Sequence, residues 1–374
     1  MPQLSRLLAA SLAALLAAAT ACAAPVVCTP ARGRLLVPVR LNQQGPVLML
    51  LDLAAQHPVL DPLTAAALGL PPAGATAQAQ DDFGHTVTAA SVSVEITPAP
   101  EITHVDAALL LDLTPLSKWL GASMGGILPA HLPGYEIALN LQDHAVEWRP
   151  LEQATLQHAD DQTLRMQIDA SGAPVVHALL ERQYLRPVRL DLSCPAALAF
   201  PPQDLRSLGI PPNAPRLEYL DSTQVYVRLS AVKLGGFMIE SPIALVLAED
   251  ASVCVGLTFL EHVRLTLNYE HGLCRIEPLR STAMQDPPLT GYGIALQRLE
   301  VTGWRVRIAA NSPAAQAGLR TGDILIAIDG TSLTTATYEN AEALLAPNAA
   351  TPAAVTVLRQ GQQHTVTLTP APLL

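Results

Sequence analysis

One junction occurs twice in this chain of 374 residues. Residues 50–55 read LLDLAA and residues 190–194 read LDLSC, so Asp52 and Asp191 each close an apolar run and precede a Leu and a small residue. A carboxylate placed directly after VLMLL is expected to lose water on folding, and burial disfavours its charged form unless partners compensate. The surroundings repeat too. VPVRLNQQGPVLMLL precedes Asp52 and VHALLERQYLRPVRL precedes Asp191, each reading as two strands joined by a polar turn. Short helix-like segments follow, closing on AAALGLPP (65–72) and RSLGIPP (206–212), then alternating strands at TVTAASVSVEI and QVYVRLSAVKL. Both halves end alike, in GGILPAHLPGYEIALNLQDHAVEW (125–148) and VGLTFLEHVRLTLNYEHGLCRIEP (255–278), where Gly126 and Gly256 are matched. The same order over two stretches of about 110 residues indicates an internal duplication.

With 32 Pro and only 14% charged residues, the chain favours strands and turns over long helices and is not disordered. Residues 1–24 read as a secretory signal: Arg6, then the apolar LLAASLAALLAAATA, then small residues. The expected location is therefore the periplasm or cell envelope, with lipoprotein anchoring through Cys22 as a lesser alternative. Removing this leader takes one cation and no acid, leaving 21 − 32 = −11. That balance argues against nucleic acid or an anionic membrane surface as the main partner. Four cysteines remain, Cys28, Cys194, Cys254 and Cys274, open to three pairings in an oxidising compartment.

The two halves resemble the paired lobes of aspartic peptidases, closest to the bacterial retropepsin-like (aspartyl protease) proteins, over roughly residues 33–280. In that family an apolar strand delivers Asp-Thr-Gly to the lobe interface, and a later apolar-apolar-Gly strand threads through the loop. Ser123-Met124-Gly125-Gly126-Ile127 and Cys254-Val255-Gly256-Leu257 stand where the threading strands belong. The resemblance implies a mainly β fold of two pseudo-symmetric lobes, here 25–150 and 151–280, with Asp52 and Asp191 as a catalytic dyad. Two carboxylates at close range share one proton, so one can act as base toward water while the other polarises a carbonyl. The chain departs from the family at the supports: Leu53 and Leu192 replace the Thr that braces the loops, and Ala54 and Ser193 replace the Gly. The expectation is an aspartic endopeptidase, or a catalytically inactive peptide-binding scaffold of the same fold. The resemblance also implies a flap at DDFGHTVT (81–88) and disulfides Cys28–Cys274 and Cys194–Cys254.

After a linker at 281–289, residues 290–374 resemble a bacterial PDZ domain. NSPAAQAGLRTGDILIAIDG (311–330) carries the motif: a helix starting at Asn311-Ser312-Pro313, a Gly318 stop, and turns at Gly322-Asp323 and Asp329-Gly330. TYENAEALLA (337–346) reads as an amphipathic helix with Ala341, Leu344 and Leu345 inward. The resemblance implies a peptide added as a strand, its C-terminal carboxylate received by Tyr292-Gly293-Ile294. The expected partner is thus a peptide or unfolded protein. GASMG (121–125) mimics a serine-hydrolase motif but lacks the strand-to-helix context that the motif requires. No metal-ligand spacing, phosphate loop or dinucleotide fingerprint occurs, so neither metal nor cofactor is expected.

Overall fold

The computed structural model describes residues 24–374 apart from 71–75, 81–85, 161, 212, 220–224, 250, 299–303, 337 and 347–350. The expected flap tip, with Phe83, Gly84 and His85, and the leader with Cys22 fall outside the described residues. Sheets dominate, and helices are short. Among the described residues no helix is long and apolar enough to cross a membrane.

The two lobes share one connectivity. In the first, strand Arg34–Leu41, buried along most of its length, forms a hairpin with Gln44–Asp52, of which Met49–Leu51 are buried. Gln44–Asp52 pairs in parallel with Gly126–Pro129, which pairs antiparallel with Val59–Leu60. That strand runs parallel to Ile102–Leu110. In the second lobe, Pro174–Leu180 forms a hairpin with Tyr184–Leu190. Tyr184–Leu190 pairs in parallel with Cys254–Val255, which pairs antiparallel with Leu198–Phe200, itself parallel to Ile243–Val246. In both lobes a late strand is inserted between two earlier ones, on either side of the Asp loop.

Register corrects one matched position. Met49 stands beside Gly126, which puts Asp52 beside Pro129. Leu190 stands beside Val255, which puts Asp191 next to Gly256. Gly256 therefore corresponds to Pro129, and Gly126 lies three residues earlier in the inserted strand. Both glycines still answer a steric demand. A Cβ on Gly126 would meet the Val59 carbonyl oxygen at 2.4 Å, and one on Gly256 would meet that of Cys194 at 2.3 Å.

A six-stranded sheet joins the lobes. Its centre is Tyr135–Asn140 against Val263–Asn268, with Ile137 opposite Leu267 and Leu139 opposite Leu265. Ala145–Pro150 and Leu273–Pro278 flank this pair, and Val26–Val27 and Thr163–Arg165 form the two edges. Side chains of both lobes, from Leu35 to Ile276, make one continuous core. A single apolar cluster thus spans the lobe interface.

The expected linker is partly structured. Ala283–Gln285 adds in parallel to Phe237–Glu240 of the second lobe, and the Ile243 amide donates to the Asp286 carboxylate at 3.0 Å. The C-terminal domain has its own core, including Trp304, Val306, Leu325, Val355 and Val357. Ser312 caps the helix Pro313–Gln316, accepting from the Ala315 amide, and Gly318 follows at φ 83°. In the helix Tyr338–Leu345, Ala341 is buried as expected, but Leu344 is exposed rather than inward.

Candidate active site

Each Asp loop closes on itself in the same way. The Ala54 amide donates to Asp52 Oδ1 at 2.7 Å, and the Ser193 amide donates to Asp191 Oδ1 at 2.6 Å. Each junction is also fixed to the inserted strand: Ala130 N–H donates to the Asp52 carbonyl at 2.8 Å, and Asp191 N–H to the Val255 carbonyl at 3.0 Å. The apolar strands thus deliver both carboxylates to the interface.

Burial pushes the Asp52 carboxyl above the ordinary carboxylate range; the Ala54 amide opposes this, the nearby negative charge of Asp191 adds to it, and the Ala55 amide opposes it. Asp191 thus lies near enough for its charge to disfavour that of Asp52.

Leu53 and Leu192 are buried, at 2% and 4% exposure, and have no hydroxyl to brace the loops. The bracing comes instead from side chains that cross between lobes. Tyr269 of the second lobe donates its hydroxyl to the Leu53 carbonyl of the first at 3.1 Å. Arg34 of the first lobe donates from Nη2 to the Ser193 carbonyl of the second. Gln56 Nε2 adds a bond to the Ala170 carbonyl at 3.3 Å. The two Asp loops are therefore held reciprocally, each backbone carbonyl served by the opposite lobe, which keeps buried acceptors paired.

These supports carry their own order. Tyr269 lies buried beside Asp52 and stacks on His131 at 4.7 Å. Burial holds the Tyr269 phenol well above its ordinary pKa, so it stays a donor. Burial likewise pushes His131 down, favouring a neutral ring. Arg34 is 7% exposed, lies 4.4 Å from the Trp119 ring centroid, and is attracted by Asp191. Neither Arg34 nor Tyr269 was singled out from sequence. The only trace of the former is its place just after the Arg32-Gly33 turn, where Gly33 answers Gly172 ahead of the equivalent strand.

The cysteines divide. Cys194 and Cys254 are buried neighbours whose thiols hydrogen-bond, Cys194 ionising more readily because Cys254 donates to it. Both are thiols in this structure. The expected Cys28–Cys274 bridge is overturned by sheet order. Cys28 follows Val26–Val27 at one edge, whereas Cys274 lies in Leu273–Pro278 beyond three intervening strands. At about 4.8 Å per strand that separation far exceeds the reach of a disulfide.

Tyr292-Gly293-Ile294 lies apart from the dyad. Tyr292 is buried in the PDZ core, so only its backbone faces the loop; its carbonyl accepts from the Ala314 amide at 2.9 Å and that of Gly293 from Ala309 at 2.8 Å. Strand Ile294–Arg298 ends its sheet, leaving one edge without a strand among the described residues. No group of His, Cys, Asp and Glu among the described residues is arranged to hold a metal ion.

Residues 37–127 match the aspartyl protease family model, and residues 304–359 match the PDZ domain model. Among solved structures, basic 7S globulin from soybean is similar at 10% identity and TM-score 0.44, over 68% of this chain and 93% of that one. No curated protein matches the chain in sequence. The second lobe lies outside the matched range and is tied to the first by its connectivity.

Proposed function

We propose that this protease-like, peptide-handling chain, which carries an aspartyl protease domain and a C-terminal PDZ domain, is an exported aspartic endopeptidase acting on envelope peptides or unfolded proteins. The observation that carries the reading is that two lobes of the same connectivity bring a half-buried Asp52 within range of the charge of Asp191. Asp52, whose carboxyl favours its neutral form, holds the proton. Asp191, beside the Arg34 guanidinium, serves as the base. A water between them loses a proton to Asp191 as its oxygen attacks the peptide carbon, and Asp52 gives its proton to the carbonyl oxygen. Collapse of the resulting gem-diol breaks the C–N bond, the departing nitrogen taking the proton that Asp191 accepted while one gem-diol hydroxyl returns its proton to Asp52. The PDZ domain receives peptide C-termini at 292–294. The charged and apolar leader supports export.

A second reading is a non-catalytic peptide binder of the same fold. It is favoured by Leu53 and Leu192, which remove the hydroxyl bracing of both loops at once. The two readings separate on one assay: digestion of reduced, carboxymethylated casein by the purified chain between pH 3 and 8, beside Asp52→Asn and Asp191→Asn. Cleavage by the parent that each variant abolishes supports the enzyme. Equal cleavage by either variant, or none by the parent, removes it and leaves the binder.

A further inference from the structure

A cavity of about 1850 Å³ lies where three parts of the chain meet. One wall is the edge strand Ile294–Arg298 with the helix Tyr338–Leu345. The facing wall is the first-lobe helix Thr114–Leu120, presenting Lys118 and Trp119. The floor includes Arg34 and Ser193, two residues beyond Asp191, although neither Asp52 nor Asp191 lines the cavity.

The walls are fixed relative to each other. The Ala310 amide donates to the Glu218 carbonyl at 2.9 Å, and Tyr219 bridges Ala309, splicing the PDZ sheet to the second lobe. Arg228 Nη2 donates to the carbonyls of Pro287 at 3.1 Å and Leu374 at 3.0 Å, tying down both ends of the domain.

The charge of the lining runs against that of the whole chain. The chain carries a net charge of −10, yet Arg32, Arg34, Lys118 and Arg307 line this cavity against only Asp61 and Glu342. Asp61 is already engaged by backbone donors, accepting from the Leu63 amide at 2.9 Å and the Leu113 amide at 3.2 Å. A cationic cleft in an acidic protein attracts an anionic occupant. An edge strand accepts an extended backbone, and Ile294, Leu296 and Leu345 supply an apolar lining.

We propose that the PDZ groove and the first-lobe helix form one composite site for an extended acidic peptide with a free C-terminus. Its backbone adds to Ile294–Arg298, its carboxylate lies at 292–294, and its acidic side chains face Lys118 and Trp119 across the cavity. This rests on the PDZ reading above but goes beyond it, because the lobe selects the ligand. Ligand occupancy also reaches the Arg34–Ser193 wall and, through it, the Asp191 loop.

The chain carries its own reporter. Trp119 is 44% exposed, whereas Trp148 and Trp304 are each 1% exposed, so acrylamide quenching of tryptophan emission reads Trp119. The probes are an eight-residue peptide acid with three Glu upstream of a C-terminal Leu, its C-terminal amide, and the same acid with Lys for Glu. They are titrated into the full chain carrying Asp52→Asn, which prevents turnover. The expected result is at least tenfold tighter binding of the acid than the amide, about fivefold preference for Glu over Lys, and at least a twofold fall in quenching at saturation. Lys118→Glu should cancel the Glu preference while leaving the acid-over-amide preference in place. Carboxylate-dependent binding with unchanged quenching and no effect of Lys118→Glu would confine the ligand to the PDZ groove, overturning the composite site and sparing the PDZ reading. Absence of binding by all three peptides would overturn both.

Discussion

The Tyr269 hydroxyl donates to the Leu53 carbonyl across the lobe interface at 3.1 Å, in a chain whose Asp loops lack their own hydroxyl braces. Tyr269→Phe removes this donor while keeping the ring against His131. It should cost about 1–3 kcal/mol in urea unfolding, the usual penalty of a stranded buried acceptor. A loss below a few tenths would mean that the Leu53 carbonyl has another partner.

Arg34 performs the reciprocal task and adds a charge beside Asp191. Arg34→Gln removes the charge, and its shorter side chain also withdraws the donor from the Ser193 carbonyl. The acid limb of casein cleavage should therefore move to higher pH, with Arg34→Lys restoring it in part. An unchanged pH profile with lowered stability would leave Arg34 as a brace alone.

Asp52→Asn should make the protein more stable at neutral pH. Burial and the Asp191 charge raise the Asp52 carboxyl in the folded state above its unfolded value of about 3.9. Its stabilising contribution is fully present below that unfolded value and fades as pH rises through the folded one. Asn is neutral throughout and can still accept from the Ala54 amide. The variant's melting temperature should exceed the parent's at pH 7.5, and the gap should close near pH 3. A parent that is the more stable at pH 7.5 would contradict the buried carboxyl.

Oxidation should link Cys194 to Cys254 and leave Cys28 and Cys274 as thiols. Burial pushes the Cys28 thiol up to about 12 and that of Cys274 well above its ordinary value, so both resist alkylation until unfolded. After treatment with oxidised glutathione, a peptide map of the unreduced chain should contain the single 194–254 link. The chain-entropy model gives roughly 4 kcal/mol as an upper figure for its stabilisation. Any link to Cys28 or Cys274 would contradict the sheet order.

Gly256→Ala should destabilise the second lobe by about 1–3 kcal/mol or more, as overpacking does, because the new methyl would lie 2.3 Å from a backbone carbonyl oxygen that cannot swing away. Gly236→Ala is the control: its Cβ meets nothing closer than 3.8 Å, and the change should stay within about 0.5 kcal/mol.

The sequence by itself determined the duplication, the two Asp junctions and the PDZ motif. Each of these is written locally, in apolar alternation, turn residues and short spacings. An apolar strand ending in Asp, twice over, leaves few ways to bury the strands without bringing the carboxylates to one interface. Only the tertiary structure decided what braces the loops, because Arg34 and Tyr269 act across the lobes from positions 159 and 216 residues away from their partners. Neither sits in a motif; each looks like an ordinary strand or turn residue until the opposite carbonyl is placed. The same holds for register, where Gly256 proved equivalent to Pro129 rather than Gly126. Inserting a late strand between two earlier ones fixes neighbours by hydrogen bonding, not by distance along the chain. Cys28 and Cys274 were separated for that reason too, since the interlobe sheet places their strands on different sides of its central pair.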